Sequence, residues 1–110
     1  MLHIYSDCVL LVHECRPLWD QVGKFDRALK KQLQTASMSI GANLGEGSYR
    51  NNGNERQRFE TSIGSARETK VLLELAVAAG YLDEASIDRP ADRADKIAAT
   101  LWQCLHRRRS

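Results

Sequence analysis

Apolar residues recur at alternating steps of three and four along most of this chain, and that spacing is the strongest constraint on its fold. From about residue 3 to residue 22, the repeat occupies Ile4, Cys8, Leu11, Cys15, Leu18 and Val22. Such steps place side chains on one face of an α-helix, as at the a and d positions of a helical bundle. No segment alternates with a period of two residues, so the sequence predicts no β-strand.

Proline and glycine residues divide the pattern into four predicted helices. Pro17 predicts a kink or short break near residues 14–16, because proline removes one helical hydrogen bond. The later helices are predicted at residues 25–45, 53–79 and 91–106, and Gly80 ends the third. Four helices with short connections predict an all-α, antiparallel up-down-up-down four-helix bundle. The 110 residues, 1–110, correspond to a single domain.

The middle helices differ in how many faces are apolar. The second has one apolar stripe, composed of Phe25, Leu29, Leu33, Ala36 and Ile40. The third has a stripe composed of Phe59, Ile63, Ala66, Leu73 and Val77. A further stripe at its side contains Leu72, Leu75, Ala76 and Ala79. Two apolar stripes indicate burial on two sides, so we expect these four residues to form an oligomer interface.

Polar residues share one face at the end of the second helix. Ser39, Asn43 and Glu46 follow each other at steps of four and three, and Ser65 and Glu68 lie on the helix that should pack beside them. They could form a pocket for a partner group or a buried network that fixes the register of the two helices. We favour the network, because helical bundles commonly use buried polar groups for register.

Basic residues concentrate in three parts of the chain, although the net charge is only +2: the start of the second helix, both sides of the loop after it, and the tail Arg107-Arg108-Arg109. The predicted basic surface comprises Lys24, Arg27, Lys30, Lys31, Arg50, Arg56 and Arg58. One interpretation is binding to the phosphates of nucleic acid, which a ring of subunits would strengthen by repetition. The alternative is an ordinary solvated face.

Catalytic, metal and cofactor sites are not predicted. No glutamate is followed by a histidine three residues later, so the motif of di-iron bundles is absent. No serine, cysteine or lysine has a recognisable base partner, and we expect no enzymatic activity. The three cysteines form no Cys-x-x-Cys pair, which favours reduced thiols in a cytoplasmic protein. No segment predicts a signal peptide or a membrane span.

The segment from Leu29 to Leu82 resembles a known family. The resemblance is carried by Gln32-Leu33, Ala36-Ser37, Ser39-Ile40, Asn43-Leu44-Gly45-Glu46-Gly47, Arg50, Arg58-Phe59, Gly64-Ser65-Ala66-Arg67-Glu68 and Gly80-Tyr81-Leu82. The family is the bacterial four-helix-bundle proteins named for intervening sequences of 23S ribosomal RNA genes. The resemblance implies a homo-oligomer, most often a homopentameric ring, without catalytic activity or cofactor. The fold is also similar to accessory proteins of diversity-generating retroelements, which bind a reverse transcriptase and nucleic acid.

Two functions therefore remain open on the sequence. The first is an oligomeric protein that interacts with RNA or DNA, or with a partner bound to nucleic acid. The second is a structural or protein-binding scaffold whose basic surface is incidental.

Overall fold

The computed structural model of this chain describes residues 2–47 and 54–107, and the described part is all-α, without strands. A short 3-10 helix, Glu84–Ile87, precedes the last long helix. The four long helices are α1 (Leu2–Gly23), α2 (Arg27–Gly47), α3 (Asn54–Ala78) and α4 (Asp88–Arg107). The all-α class and the number of long helices are confirmed.

Helix α1 continues through Pro17, so of the two predicted outcomes, a kink or a break, the break does not occur. Pro17 and His13, one turn earlier, are both exposed. Proline deprives the His13 carbonyl of its helical partner, and water can satisfy that carbonyl on an exposed face. The apolar seam of α1 therefore continues from Ile4 to Val22.

Helix α2 begins two residues later than predicted, because Asp26 is its N-cap. The Asp26 carboxylate accepts a hydrogen bond of 2.9 Å from the Leu29 amide. Phe25 consequently precedes the helix, and its side chain is 58% exposed. The assignment of Phe25 to the apolar core stripe was wrong, because this stripe starts one turn further on, at Leu29.

Helix α3 ends in a hydrogen-bonded turn at Gly80, as the sequence predicts. The Tyr81 amide donates to the Ala76 carbonyl at 2.9 Å, and the Gly80 amide donates to Val77 at 3.0 Å. This pair of bonds is the Schellman motif, which requires a left-handed residue. Gly80 supplies it with a φ of 83°. The turn fixes where Tyr81 leaves the helix.

The helices enclose one apolar core along a molecule of 44 × 20 × 18 Å. Helix α2 packs on α1 and α3, α4 packs on α3, and a smaller contact joins α4 to α1. The largest fully buried apolar side chains are Phe59, Leu11, Leu33, Ile40, Leu44, Leu73, Ile97 and Leu101. Every long helix contributes to this set.

Charged side chains tie α4 to both of its neighbours. Arg93 donates to the two carboxylate oxygens of Glu14 at 2.7 and 3.2 Å, and Asp7 lies 3.5 Å from the same guanidinium. Lys70 in the second half of α3 contacts Asp95 in the first half of α4 at 2.6 Å. These pairs join residues far apart in sequence, and the spacing analysis did not find them.

Candidate functional site

Serine side chains form the closest polar contacts between α2 and α3. The hydroxyls of Ser39 and Ser65 are 2.5 Å apart and share a hydrogen bond. Ser62 donates to the Ile40 carbonyl at 2.9 Å and is fully buried. We call these contacts, together with that of Asn43 below, the polar seam. Ser39 and Ser65 both belong to the predicted polar network, and the structure brings them into contact.

Asn43 links both helices one turn further along the polar seam. Its side-chain amide donates to the Ser39 carbonyl at 2.7 Å, and its oxygen accepts from an Arg58 guanidinium nitrogen at 3.2 Å. Arg58 was predicted on the basic surface, but here it bonds across the helix pair. Both polar ends of Asn43 are used within the chain, which supports a register-fixing network over an open pocket.

The other members of the predicted network are less involved. Glu68 is exposed, and no hydrogen bond joins it to Ser39, Ser65 or Asn43. The Glu46 side chain lies outside the described part of the chain. Ser62 was not among the predicted residues, although a step of three from Phe59 places it on the buried face of α3. A serine in an apolar stripe was the available signal.

An open groove of about 570 Å³ lies beside the polar seam. Its walls carry opposite charges, with Lys31 on α2 and Glu68 on α3. The remaining lining residues are Ala28, Gln32, Thr35, Ala36, Ser39 and Ser65. These groups can donate and accept hydrogen bonds, but none of the lining side chains is a histidine or a cysteine that could act as base or nucleophile.

The structure divides the predicted basic surface. Lys30 lies 3.5 Å from Asp20, and Arg56 donates to Glu60 at 2.9 Å. Arg50 lies outside the described residues. Lys24, Arg27 and Lys31 are exposed, and none of the three has an ion pair with another described residue. These three residues, which we call the cationic cluster, lie in the first turns of α2 and, for Lys24, in the turn just before it.

The stripe predicted as an oligomer interface is also divided. Leu72 and Ala76 are buried in the core of their own chain. Leu75 and Ala79 are exposed, and Val71 is exposed one turn before Leu75. Only the exposed part of this stripe is available to another subunit, because α3 turns the other two residues toward its neighbours.

A second exposed apolar surface lies between α1 and α2, and the sequence analysis missed it. Tyr5 and Val9 on α1 and Met38 on α2 are exposed along a groove of about 320 Å³. Gly41 forms part of its floor. A signal was available on α1, because Tyr5 and Val9 are four residues apart and each follows a residue of the apolar seam.

Two of the three cysteines, Cys8 and Cys15, are buried in the core. Burial raises the pKa of the Cys8 thiol to about 12, and the neighbouring Asp7 carboxylate adds to the rise. Burial, with Glu14, does the same for Cys15. Both thiols are therefore protonated at neutral pH and pack as small apolar groups. No group of three metal-ligating side chains lies together in this part of the chain.

Four packed helices with a polar seam and a small cationic cluster define a small all-α helical protein. The chain belongs to the family of 23S rRNA-intervening sequence proteins, whose family model matches residues 1–103. The resemblance inferred from the second and third helices is thereby confirmed. None of the described helices has a stretch long and apolar enough to cross a membrane.

A solved structure has a similar fold. It is the crystal structure, at 1.70 Å resolution, of a protein with unknown function from the S23 ribosomal protein family of Bacteroides thetaiotaomicron VPI-5482. The two chains are 17% identical, and the superposition has a TM-score of 0.84. It covers 93% of this chain and 97% of the other, so the fold is shared along nearly the whole length. No curated protein matches the sequence.

Proposed function

We propose that this chain is a non-enzymatic, ring-forming cytoplasmic protein whose cationic cluster binds nucleic acid. The observation that carries the proposal is the exposure of Lys24, Arg27 and Lys31 without ion pairs among the described residues. Either RNA or DNA offers the phosphates that these cations attract. A partner already bound to nucleic acid, such as a reverse transcriptase, would present the same chemistry.

The position of the cationic cluster supports phosphate binding. Arg27 and Lys31 are one helical turn apart, so they lie on the same face of α2. Lys24 lies in the turn between α1 and α2, where its amide donates to the Gln21 carbonyl at 3.3 Å. Three cations on one chain give a weak site, and a ring would repeat it around its circumference.

The proposed topology is an antiparallel up-down-up-down bundle. Successive helices pack on each other, and Asp20 near the end of α1 contacts Lys30 near the start of α2. The second half of α3 lies against the first half of α4, where Lys70 contacts Asp95. Short connections join these pairs, as in other bundles of alternating direction.

We propose further that the bundles assemble into a homo-oligomer, with a pentamer favoured. The exposed apolar residues support this, since Val71 and Leu75 form a ridge on α3 while Tyr5, Val9 and Met38 line a groove elsewhere. A ridge and a groove on different faces suit a head-to-tail contact that can close a ring. Light scattering after size exclusion measures the mass, and a strict monomer would contradict the ring.

Reversing the three charges tests the nucleic-acid proposal. The triple variant Lys24→Glu, Arg27→Glu and Lys31→Glu should lose affinity for structured RNA and for duplex DNA at low salt. The plot of log affinity against log salt should become shallower by roughly two to three units, since each lost phosphate contact removes about 0.7–0.9. Filter binding across a salt series measures both quantities.

The matched control reverses three exposed cations outside the cluster, with the same change in net charge: Arg16→Glu, Arg67→Glu and Arg89→Glu. This control should keep most of the affinity and the steeper slope. Equal losses of affinity in both triple variants would show that net charge alone, and not the cationic cluster, determines binding. If the native protein does not bind at low salt, the nucleic-acid proposal is wrong.

A protein-binding scaffold is the second candidate function. The observation that favours it is the apolar groove of Tyr5, Val9 and Met38, whose side chains stay exposed within the described part of the chain. If this function is correct, reversing the three charges of the cationic cluster should leave both the function and the assembly intact. The charge-reversal experiment therefore separates the two functions.

A further inference from the structure

The turn between α1 and α2 holds an aromatic ring outside the core, beside the cationic cluster. Phe25 donates its amide to the Val22 carbonyl at 3.0 Å, and Asp26 donates to the same carbonyl at 2.9 Å. The Asp26 carboxylate caps α2 through Leu29. These bonds fix the backbone on both sides of Phe25, so its position does not depend on burial of the ring.

Phe25 stacks on Tyr81 from the turn that follows α3. The two ring centroids are 5.2 Å apart, and the planes are inclined by only 7°. Tyr81 is half-buried against the core, whereas 58% of Phe25 is exposed. Because one face of the Phe25 ring lies on Tyr81, its exposed area includes the opposite face. The opposite face of Phe25 is therefore a flat, exposed aromatic surface, and Tyr81 packs against its other face.

Charged residues lie close in sequence to both aromatic residues. Lys24 directly precedes Phe25, Arg27 follows two residues later, and both are exposed. Asp83 and Glu84 follow Tyr81 and are also exposed. Cations therefore flank Phe25 in the chain and carboxylates follow Tyr81, while the Asp26 carboxylate between Phe25 and Arg27 is engaged by the Leu29 amide. This distribution favours phosphates on the Phe25 side of the pair.

The geometry points to a stacking site for an unpaired base of single-stranded nucleic acid on the free face of Phe25. An aromatic ring beside cations is the arrangement by which proteins hold single strands, with bases stacked and phosphates neutralised. In a duplex the base faces are already stacked on each other and cannot reach the ring. This inference rests on the proposed nucleic-acid binding and adds the class of ligand, a single strand.

Affinity for two probes tests the site. Fluorescence anisotropy at low salt compares a labelled oligothymidine, which has little structure of its own, with a blunt DNA duplex of equal length. Phe25→Leu should weaken oligothymidine binding by about fivefold or more, the effect of losing one base–aromatic stack. Its duplex affinity should equal that of the native protein. Phe25→Trp should keep the oligothymidine affinity, because it retains a flat aromatic face.

Trp102→Leu is the matched control, since Trp102 is an exposed, stacked aromatic residue near the end of α4, outside both the cationic cluster and the proposed subunit contact, and it should change neither affinity. Circular dichroism confirms that each variant is folded. Native-like oligothymidine binding by Phe25→Leu, or equal losses on both probes, would overturn the stacking site while leaving the proposed function in place. If the native protein binds neither probe, the proposed function fails and the stacking site fails with it.

Discussion

Replacing Phe59 with alanine is expected to lower the free energy of unfolding by about 3–5 kcal/mol. The side chain is only 1% exposed and belongs to the core to which all four long helices contribute. Truncation removes its burial and leaves a cavity that the surrounding helices can fill only in part. Urea denaturation followed by circular dichroism measures the change. All comparisons need one protein concentration, because assembly would couple stability to concentration.

Phe25→Ala is the control for this experiment, because the chemical change is the same at an exposed position. This variant should lower the free energy of unfolding by about 1 kcal/mol or less, which is the contribution of a surface aromatic contact such as the stack of Phe25 on Tyr81. A comparable loss for both variants would mean that Phe25 contributes to the core, contrary to its position in the structure.

These two phenylalanines show how far spacing alone predicts the core. Both lie on apolar stripes at helical steps, and both were therefore predicted to be core residues. The stripe gives the correct face of a helix, but it does not give the residue at which the helix begins. Asp26 decides that point through its bond to Leu29. An aspartate just before a run of helix-forming residues is a recognised start signal, and giving it weight would have excluded Phe25.

The polar seam could be predicted in part for a similar reason. Ser39 and Ser65 were found because short steps along each helix place polar groups on the facing surfaces. The bond from Arg58 to Asn43, by contrast, depends on how far the two helices slide along each other. The contact of Arg93 with Glu14 joins residues 79 positions apart. Local spacing carries no information on such pairs, since they depend on the packing of the whole bundle.

The divided α3 stripe follows from the same limit. Spacing showed correctly that Leu72, Leu75, Ala76 and Ala79 are apolar neighbours on one helix. It could not show that the neighbouring helices bury Leu72 and Ala76 while leaving the other two exposed. A helix surrounded on two sides by its own chain has a wide apolar face, and that width alone does not indicate a second subunit.

Replacing Ser62 with leucine is expected to destabilise the protein by about 2–4 kcal/mol. Ser62 is fully buried where α2 and α3 meet, and its hydroxyl donates to the Ile40 carbonyl. Leucine loses this bond, worth about 1 kcal/mol, and adds bulk to a packed contact at a cost of about 1–3 kcal/mol. Thermal and urea denaturation measure the loss.

Ser62→Ala separates the two contributions, because it removes the hydroxyl without adding bulk, and it should cost about 1 kcal/mol. The difference in the free energy of unfolding between the leucine and alanine variants then reports how closely α2 and α3 pack at the polar seam. A leucine variant as stable as the alanine variant would show spare room between α2 and α3. The polar side chains around it would then be better interpreted as the wall of a binding pocket than as a network that fixes helix register.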